Sequence, residues 1–441
     1  MLKSLFVCQS LIKKRIKFQL ITFLSLIIFI SPLITGCQNV VENTTVDGVT
    51  KITFWHGINP PENRDIFNEL LEEFNRANPD IEVEGLYVGQ PDEQLPRIIA
   101  SIVGNQPPDI LWYVPQLTGK LVELQALKSL EEWFNNSPLK AEIEPAMLST
   151  MELDDHIWSI PFATNNTAMF YRPSLFRDAG ISELPTTWEE FVETADQLTK
   201  DLDNNGSIDQ YGALLSLGTG EFTVFVWLPF IYSANGTIVE NNRANLVNEG
   251  TQKALQLGAE LIENNVAILS PPDRGYELDD FIAGRVAMQV TGPWTLAQLR
   301  QSGIDYDVFP LPVIDTPTTV LGGENLFVFK TNSEREKASL KFLEYILSAE
   351  FQTQWALKTG YLPINIKVQE TPEYQQFVKE NPVINVFLEQ MKNAQSRPII
   401  ADYPTISESL GRAIESSLLR QKTPQEALQE SQQRLELSLG K

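Results

Sequence analysis

The longest apolar run of the chain, Phe18 to Ile34, is broken only by Gln19, a few hydroxyl residues and Pro32. It follows five cations (Lys3, Lys13, Lys14, Arg15 and Lys17) with no acidic residue among them. A charged stretch leading into an apolar one is the pattern of an export signal. Residues 37–49 are polar, lack a sustained period and read as a flexible tether. Ile52-Thr53-Phe54-Trp55 then predicts a short strand, and Ile66, Leu70, Leu71 and Phe74 fall at helical spacing. Asn78-Pro79-Asp80 stops that helix before a second strand at Ile81–Val83. Ile110–Val114 predicts another buried strand and Glu189–Asp201 another helix. Alternation of this kind predicts an α/β layered fold. Ile160-Pro161-Phe162 and Val308–Pro312 are apolar and proline-bearing, which suits short stiff crossovers between two lobes.

An export signal that ends before Cys37 would take the first 36 of 441 residues with it and leave 405, with Cys37 as the remaining thiol. An intrachain disulfide or a Cys-rich metal site is then excluded. The five signal cations go too, so the formal charge moves from −23 to −28. Polyphosphate binding needs clustered Lys and Arg, so nucleic acid is an improbable partner. No second apolar run is long enough to span a membrane. Nothing in the composition points to an enzyme: only His56 and His156 are present, with no G-x-S-x-G elbow, phosphate-binding glycine loop or H-E-x-x-H helix.

One spacing suggests a metal. Asp201, Asp203, Asn205 and Asp209 alternate around Gly206 as the oxygen ligands of a calcium loop begin, but the twelfth position is Gly212 in place of the bidentate glutamate. A solvated turn ending the Glu189–Asp201 helix accounts for the same residues. No other cofactor is implied.

Ile34-Thr35-Gly36-Cys37 resembles a bacterial lipobox, in which Cys37 is lipidated and becomes the new N-terminus. The other reading is an uncleaved signal anchor, since about 17 apolar-rich residues just reach across a bilayer. Beyond it, ITFWHG at Ile52–Gly57, PPDILW at Pro107–Trp112, IWSIPFATNNTAMFYRPSLFRDAG at Ile157–Gly180 and LPTTWEEF at Leu184–Phe191 follow one another in order. FIAGRVAMQVTGPW at Phe281–Trp294, GGENLFVF at Gly322–Phe329, KTGYLPI at Lys358–Ile364 and KTPQEAL at Lys422–Leu428 complete the series. In order and spacing the chain resembles the family 1 extracellular solute-binding proteins of bacterial ABC importers, in the carbohydrate-binding group that includes maltose and glycerol-3-phosphate binders. Arg172-Pro173 departs from the Asn-Lys usual there, at a position that normally forms a turn.

The resemblance implies a type II periplasmic-binding-protein-like α/β fold, two discontinuous lobes joined by hinge strands. The expected lobes are 50–161 with 311–347, and 162–310 with 348–441. It implies a monomeric, membrane-anchored receptor facing the periplasm or cell exterior. The receptor binds a carbohydrate and delivers it to a permease with a cytoplasmic ATPase. Alternatives are a receptor for glycerol-3-phosphate or another phosphorylated polyol, a surface sugar sensor without transport, and a glycosidase on the same scaffold.

A sugar offers C–H faces that pack on aromatic rings and hydroxyls that need paired donors and acceptors. Trp294 in TGPW is the leading stacking candidate, with Trp227 as a second. Trp55 and His56 end the first strand, where open α/β sheets place ligands, and Trp112 with Tyr113 follow the same logic. Asn165, Asn166, Glu324 and Asn325 form the expected polar rim, and the Gly322-Gly323 pair lets backbone approach a ligand. Arg397 is a candidate clamp for a phosphate or vicinal hydroxyls, or else a surface ion pair. Tyr361, and more weakly Gln90 and Asp92, complete the set, while Trp188 reads as a structural contact near a helix cap.

Overall fold

The computed structural model describes residues 45–46, 48–271 and 277–440. The stretch read as an export signal, Cys37 and most of the stretch read as a tether lie outside the described residues. Among those described, no helix is long and apolar enough to cross a membrane.

From Val49 onward the described chain builds two large sheets, with three two-stranded ribbons beside them. In the first, strand Val49–His56 lies parallel to both Ile81–Tyr87 and Ile110–Tyr113, with Ile52 opposite Val83 and Phe54 opposite Ile110. Strand Asn325–Val328 then runs antiparallel to Ile110–Tyr113 and to Ser159–Pro161. In the second sheet the order is Ala267–Leu269, Tyr211–Leu215, Val286–Thr291, Ala168–Tyr171 and Asp307–Phe309. Its first three strands are parallel and the last two pair antiparallel.

Each sheet anchors its own core. Helix Pro61–Ala77 buries Phe67, Leu70, Leu71 and Phe74 on the first sheet, the stripe that its helical spacing predicts, although Ile66 is only half-buried. Helix Trp188–Leu198 is set by a capping box between Thr187 and Glu190 and buries Trp188 and Phe191 against the second. The Trp188 indole donates to the carbonyl of Pro312 (3.1 Å), the structural contact expected of it.

The chain passes between the sheets three times. The first passage follows Ser159–Pro161, where the Ile160-Pro161-Phe162 crossover is expected. The second lies at Val320–Leu321, one residue in each core, and not at Val308–Pro312. Leu311 belongs to the second core, and the Trp188 amide bonds the Val313 carbonyl, so the proline-bearing stretch stays on the second lobe. The third passage lies near Tyr361 and Leu362, which enter different cores. Helix Ala349–Thr359 therefore departs from the expected lobe boundary: Phe351 and Trp355 are buried in the first core, against Phe162. The passages are laced together by bridges between Asn165 and Gly322 and between Thr164 and Leu362.

Candidate functional site

A cleft of about 330 Å³ opens where the three passages meet the ends of the two sheets. Seven of the expected residues line it: Trp112, Asn165, Trp294, Gly323, Glu324, Tyr361 and Arg397; Gln90 does so as well. Trp112 is 4% exposed at the end of its strand, and its Nε1 has no hydrogen-bond partner among the described residues. Asn165 is 3% exposed on the first passage; its backbone pairs with Gly322, and its side-chain Oδ1 is likewise without a partner. Gly323 takes a φ of 110°, and a Cβ there would lie 2.2 Å from the Ala163 carbonyl, so the second passage can lie this close to the first only through glycine. Gln90 donates from Nε2 to the Gly57 carbonyl (3.0 Å) and fixes the loop after the first strand.

Trp294 leaves strand Val286–Thr291 on the short turn Pro293–Thr295 and packs against both cores. Its ring lies over Gly292, where an added Cβ would come within 1.9 Å of it. Phe222 meets it edge-on at 6.4 Å and Phe225 tilted at 6.1 Å, forming an aromatic wall.

Arg397 is 4% exposed and forms a buried ion pair with Glu221, neither a surface pair nor a free clamp. Its guanidinium lies 4.7 Å from the Phe225 ring centroid, a cation–π contact, while its Nε has no partner among the described residues. Glu221 also accepts from the hydroxyls of Tyr403 (2.9 Å) and Ser407. Desolvation opposes the Arg397 charge, but Glu221, Tyr403 and Glu324 together outweigh it and raise the pKa; burial, then Glu221, pushes the Tyr403 hydroxyl well up.

Five expected site residues lie elsewhere. Trp55 packs in a satellite core with Ile98 and Leu111, on the opposite face of its strand from Phe54 and His56. His56 is 1% exposed, stacked on Phe54 (5.5 Å) and tilted against Phe67 (5.2 Å), with its Nδ1 accepting from the Ile58 amide. Asn166 donates to the Phe387 carbonyl and accepts from Gln390, so both ends of its amide are committed to structure. Trp227 is buried at 3% exposure and donates to the Ser216 carbonyl. Asn325 is fully buried, donating to Thr150 and Ser159 across the back of the first sheet. Tyr113 donates to the Pro91 carbonyl, and the side chain of Asp92 lies outside what is described.

Burial, and then Arg64, lowers the His56 pKa from 6.5 to about 4. A proton therefore binds the unfolded chain more tightly than the folded one. The stability that neutral His56 allows is complete above pH 6.5 and is lost as pH falls toward 4. By pH 5 the loss should reach about 2 kcal/mol. Denaturant melts of the wild type and of His56→Gln between pH 7 and 5 should show a steeper acid loss in the wild type. Parallel profiles would remove His56 from the acid response.

Sequence reasoning missed Glu221, Phe222 and Phe225, on the first turn of helix Glu221–Ser233. That helix is apolar and buried almost all round, so periodicity marks no face. The available signal was Glu221 itself, with no further charge until Glu240. Asn59, Pro60, Thr291, Thr295 and Gln298 were missed as well.

Carboxylate oxygens of Asp201, Asp203 and Asp209 come within 4.8 Å of one another. The loop's own amides already occupy them: Asn205 and Gly206 donate to Asp201, Asn205 to Asp203, and Leu202 to Asp209. Asn205 Oδ1 accepts from the Ser207 amide. Gly212, where a closing glutamate would be needed, has no room for a side chain, since a Cβ would lie 2.1 Å from the Ala195 carbonyl. The donor set fits a calcium cage incompletely.

The sn-glycerol-3-phosphate-binding periplasmic protein of Salmonella typhimurium is 25% identical to this chain over 409 residues, covering 86% of this chain and 90% of its own. The maltotriose-binding protein of Pyrococcus abyssi is 26% identical over 358 residues, covering 80% and 74%. Among solved structures, UgpB from Mycobacterium tuberculosis in complex with glycerophosphocholine superposes with a TM-score of 0.79 at 19% identity, covering 89% of this chain and 99% of that one. Its fold is the two-lobed one described above. A family model described as bacterial extracellular solute-binding protein matches residues 69–382, well over half the chain. This chain therefore belongs to the bacterial extracellular solute-binding proteins.

Proposed function

We propose that the protein is the receptor of an ABC importer and takes a sugar or sugar-derived solute between its lobes for delivery to a permease. The observation that carries the reading is the pairing of an aromatic wall with buried polar atoms of both signs. Trp294, Phe222 and Phe225 supply apolar faces for ring C–H groups. Trp112 Nε1 and Arg397 Nε are donors and Asn165 Oδ1 an acceptor, all without a partner among the described residues. A hydroxyl both donates and accepts, so a polyhydroxylated ligand satisfies the whole set.

The relatives' names include both sugar and glycerol phosphate binders, so the choice between them falls to the cleft. Arg397 is the one cation among its described lining residues and is already paired with Glu221. A phosphate dianion itself cannot donate to Asn165, and the charge of Arg397 is already taken up by Glu221. These features support a neutral sugar over a phosphorylated polyol. The reading includes lipid anchoring through Cys37, supported by the lipobox-like Ile34–Cys37 sequence, and binding without chemical conversion of the ligand.

A thermal-shift series with maltotriose, smaller sugars, sn-glycerol-3-phosphate and glycerophosphocholine tests the reading. A true ligand at a hundredfold excess over its Kd should stabilise the protein by about 2.7 kcal/mol. Stabilisation by glycerol phosphate alone would move the assignment to the phosphorylated class. No response to any sugar would sink it.

A further inference from the structure

We propose that Asn63 is a latch between the lobes, a positioning residue that holds the Trp294 platform against the first lobe when the cleft is closed. The proposal rests on the receptor reading and adds the device that sets its open–closed balance. Asn63 lies in the first turn of helix Pro61–Ala77, which packs on the first sheet. Trp294 follows directly from strand Val286–Thr291 of the second. Asn63 Nδ2 donates to the Trp294 carbonyl at 3.0 Å, so this bond joins the two lobes at the floor of the aromatic wall.

Three features make this bond more than a chance contact. Asn63 is 0% exposed, so its amide has no water to replace a lost partner. Its other acceptor, the Asn59 carbonyl, lies at 3.5 Å, the limit of a useful bond, and its Oδ1 has no partner among the described residues. The amide is therefore held in a buried place mainly for what it gives Trp294. A second bond across the same seam, Arg300 Nη2 to the Lys358 carbonyl at 3.1 Å, is exposed, and water can take its place at little cost. When the lobes part, Asn63 must give up its bond or let Trp294 follow the first lobe. Either way the platform's position and the closure are linked through one side chain.

The test measures interlobe distance without any ligand, using the full chain with spin labels in place of Glu132 and Arg177, which are exposed on opposite lobes. The wild type should show a short, closed component. Asn63→Asp at pH 8 should lower the closed-to-open ratio about fivefold, the shift that one lost hydrogen bond makes. An acidic residue in the first helical turn suits the helix dipole, so this variant should fold. Asn63→Ala, which removes the donor without adding charge, should shift the ratio the same way. Acidifying Asn63→Asp protonates the carboxyl, returns a donor and should restore part of the closed component; a packing defect does not respond to pH. A wild type without the short component, or an unchanged ratio in either folded variant, overturns the latch. Because no ligand is added, the distance measurement stands whether or not a sugar screen succeeds, and the two readings fall separately.

Discussion

Replacing Trp294 by alanine is expected to weaken the sugar ligand by about 2–3 kcal/mol, roughly 30- to 150-fold in Kd. Among the described residues the ring is the one large aromatic surface in the cleft that touches both cores, so its face is presented to ligand from the seam itself. Truncation removes the stacking face and the edge-on contacts to Phe222 and Phe225. It also leaves a void over Gly292, whose missing side chain now makes room for the ring. Trp294→Phe, which keeps a smaller face, should recover part of the affinity. Isothermal titration with the ligand found by thermal shift reads the effect, and circular dichroism checks the fold. Unchanged affinity in a folded Trp294→Ala protein would make the ring a core element and remove the stacking argument.

Trp294 was legible because TGPW is a short motif at a fixed place after a strand, and the structure puts it in the cleft. The first strand shows where legibility stops. Reasoning from strand ends located the right region, since Gly57, Asn59 and Pro60 line the cleft. It named the wrong side chains. Period-two alternation sends Phe54 and His56 to one face and Trp55 to the other, and helix Pro61–Ala77 covers the first face while a satellite core takes the second. Only the turn beyond the strand faces ligand. Polarity misled in the same way at Asn166 and Asn325, whose amides bond carbonyls and side chains of their own fold. A buried Asn that braces a passage and one that meets a ligand look alike until partners are counted. The crossover at Ile160–Phe162 was readable from its apolar, proline-bearing pattern, yet the same pattern at Val308–Pro312 stays on one lobe. Proline stiffens a segment without saying which core it joins, and Leu311 joins the second. Lobe membership of Phe351 and Trp355 is a long-range choice of the same kind.

Removing Glu221 should cost more than any other single change in the cleft. Arg397 cannot shed its proton, and at 4% exposure it cannot reach water to replace a lost counter-ion. Taking away one partner of a buried pair leaves an uncompensated charge and typically costs about 3–5 kcal/mol. Tyr403 and Ser407 lose their acceptor in the same step. Glu221→Ala should therefore lower the ligand-free stability by about 3–5 kcal/mol in denaturant melts. Glu221→Gln, which keeps the shape and one acceptor oxygen but not the charge, should fall between. The double variant Glu221→Ala with Arg397→Met discriminates the cause. If the stranded cation is the penalty, an apolar stem packed on Phe225 should recover most of the stability while affinity stays low, because the Arg397 donor is gone. A Glu221→Ala protein that melts with the wild type would mean that solvent reaches Arg397. The buried pair could then no longer be the reason why its charge is withheld from a phosphate.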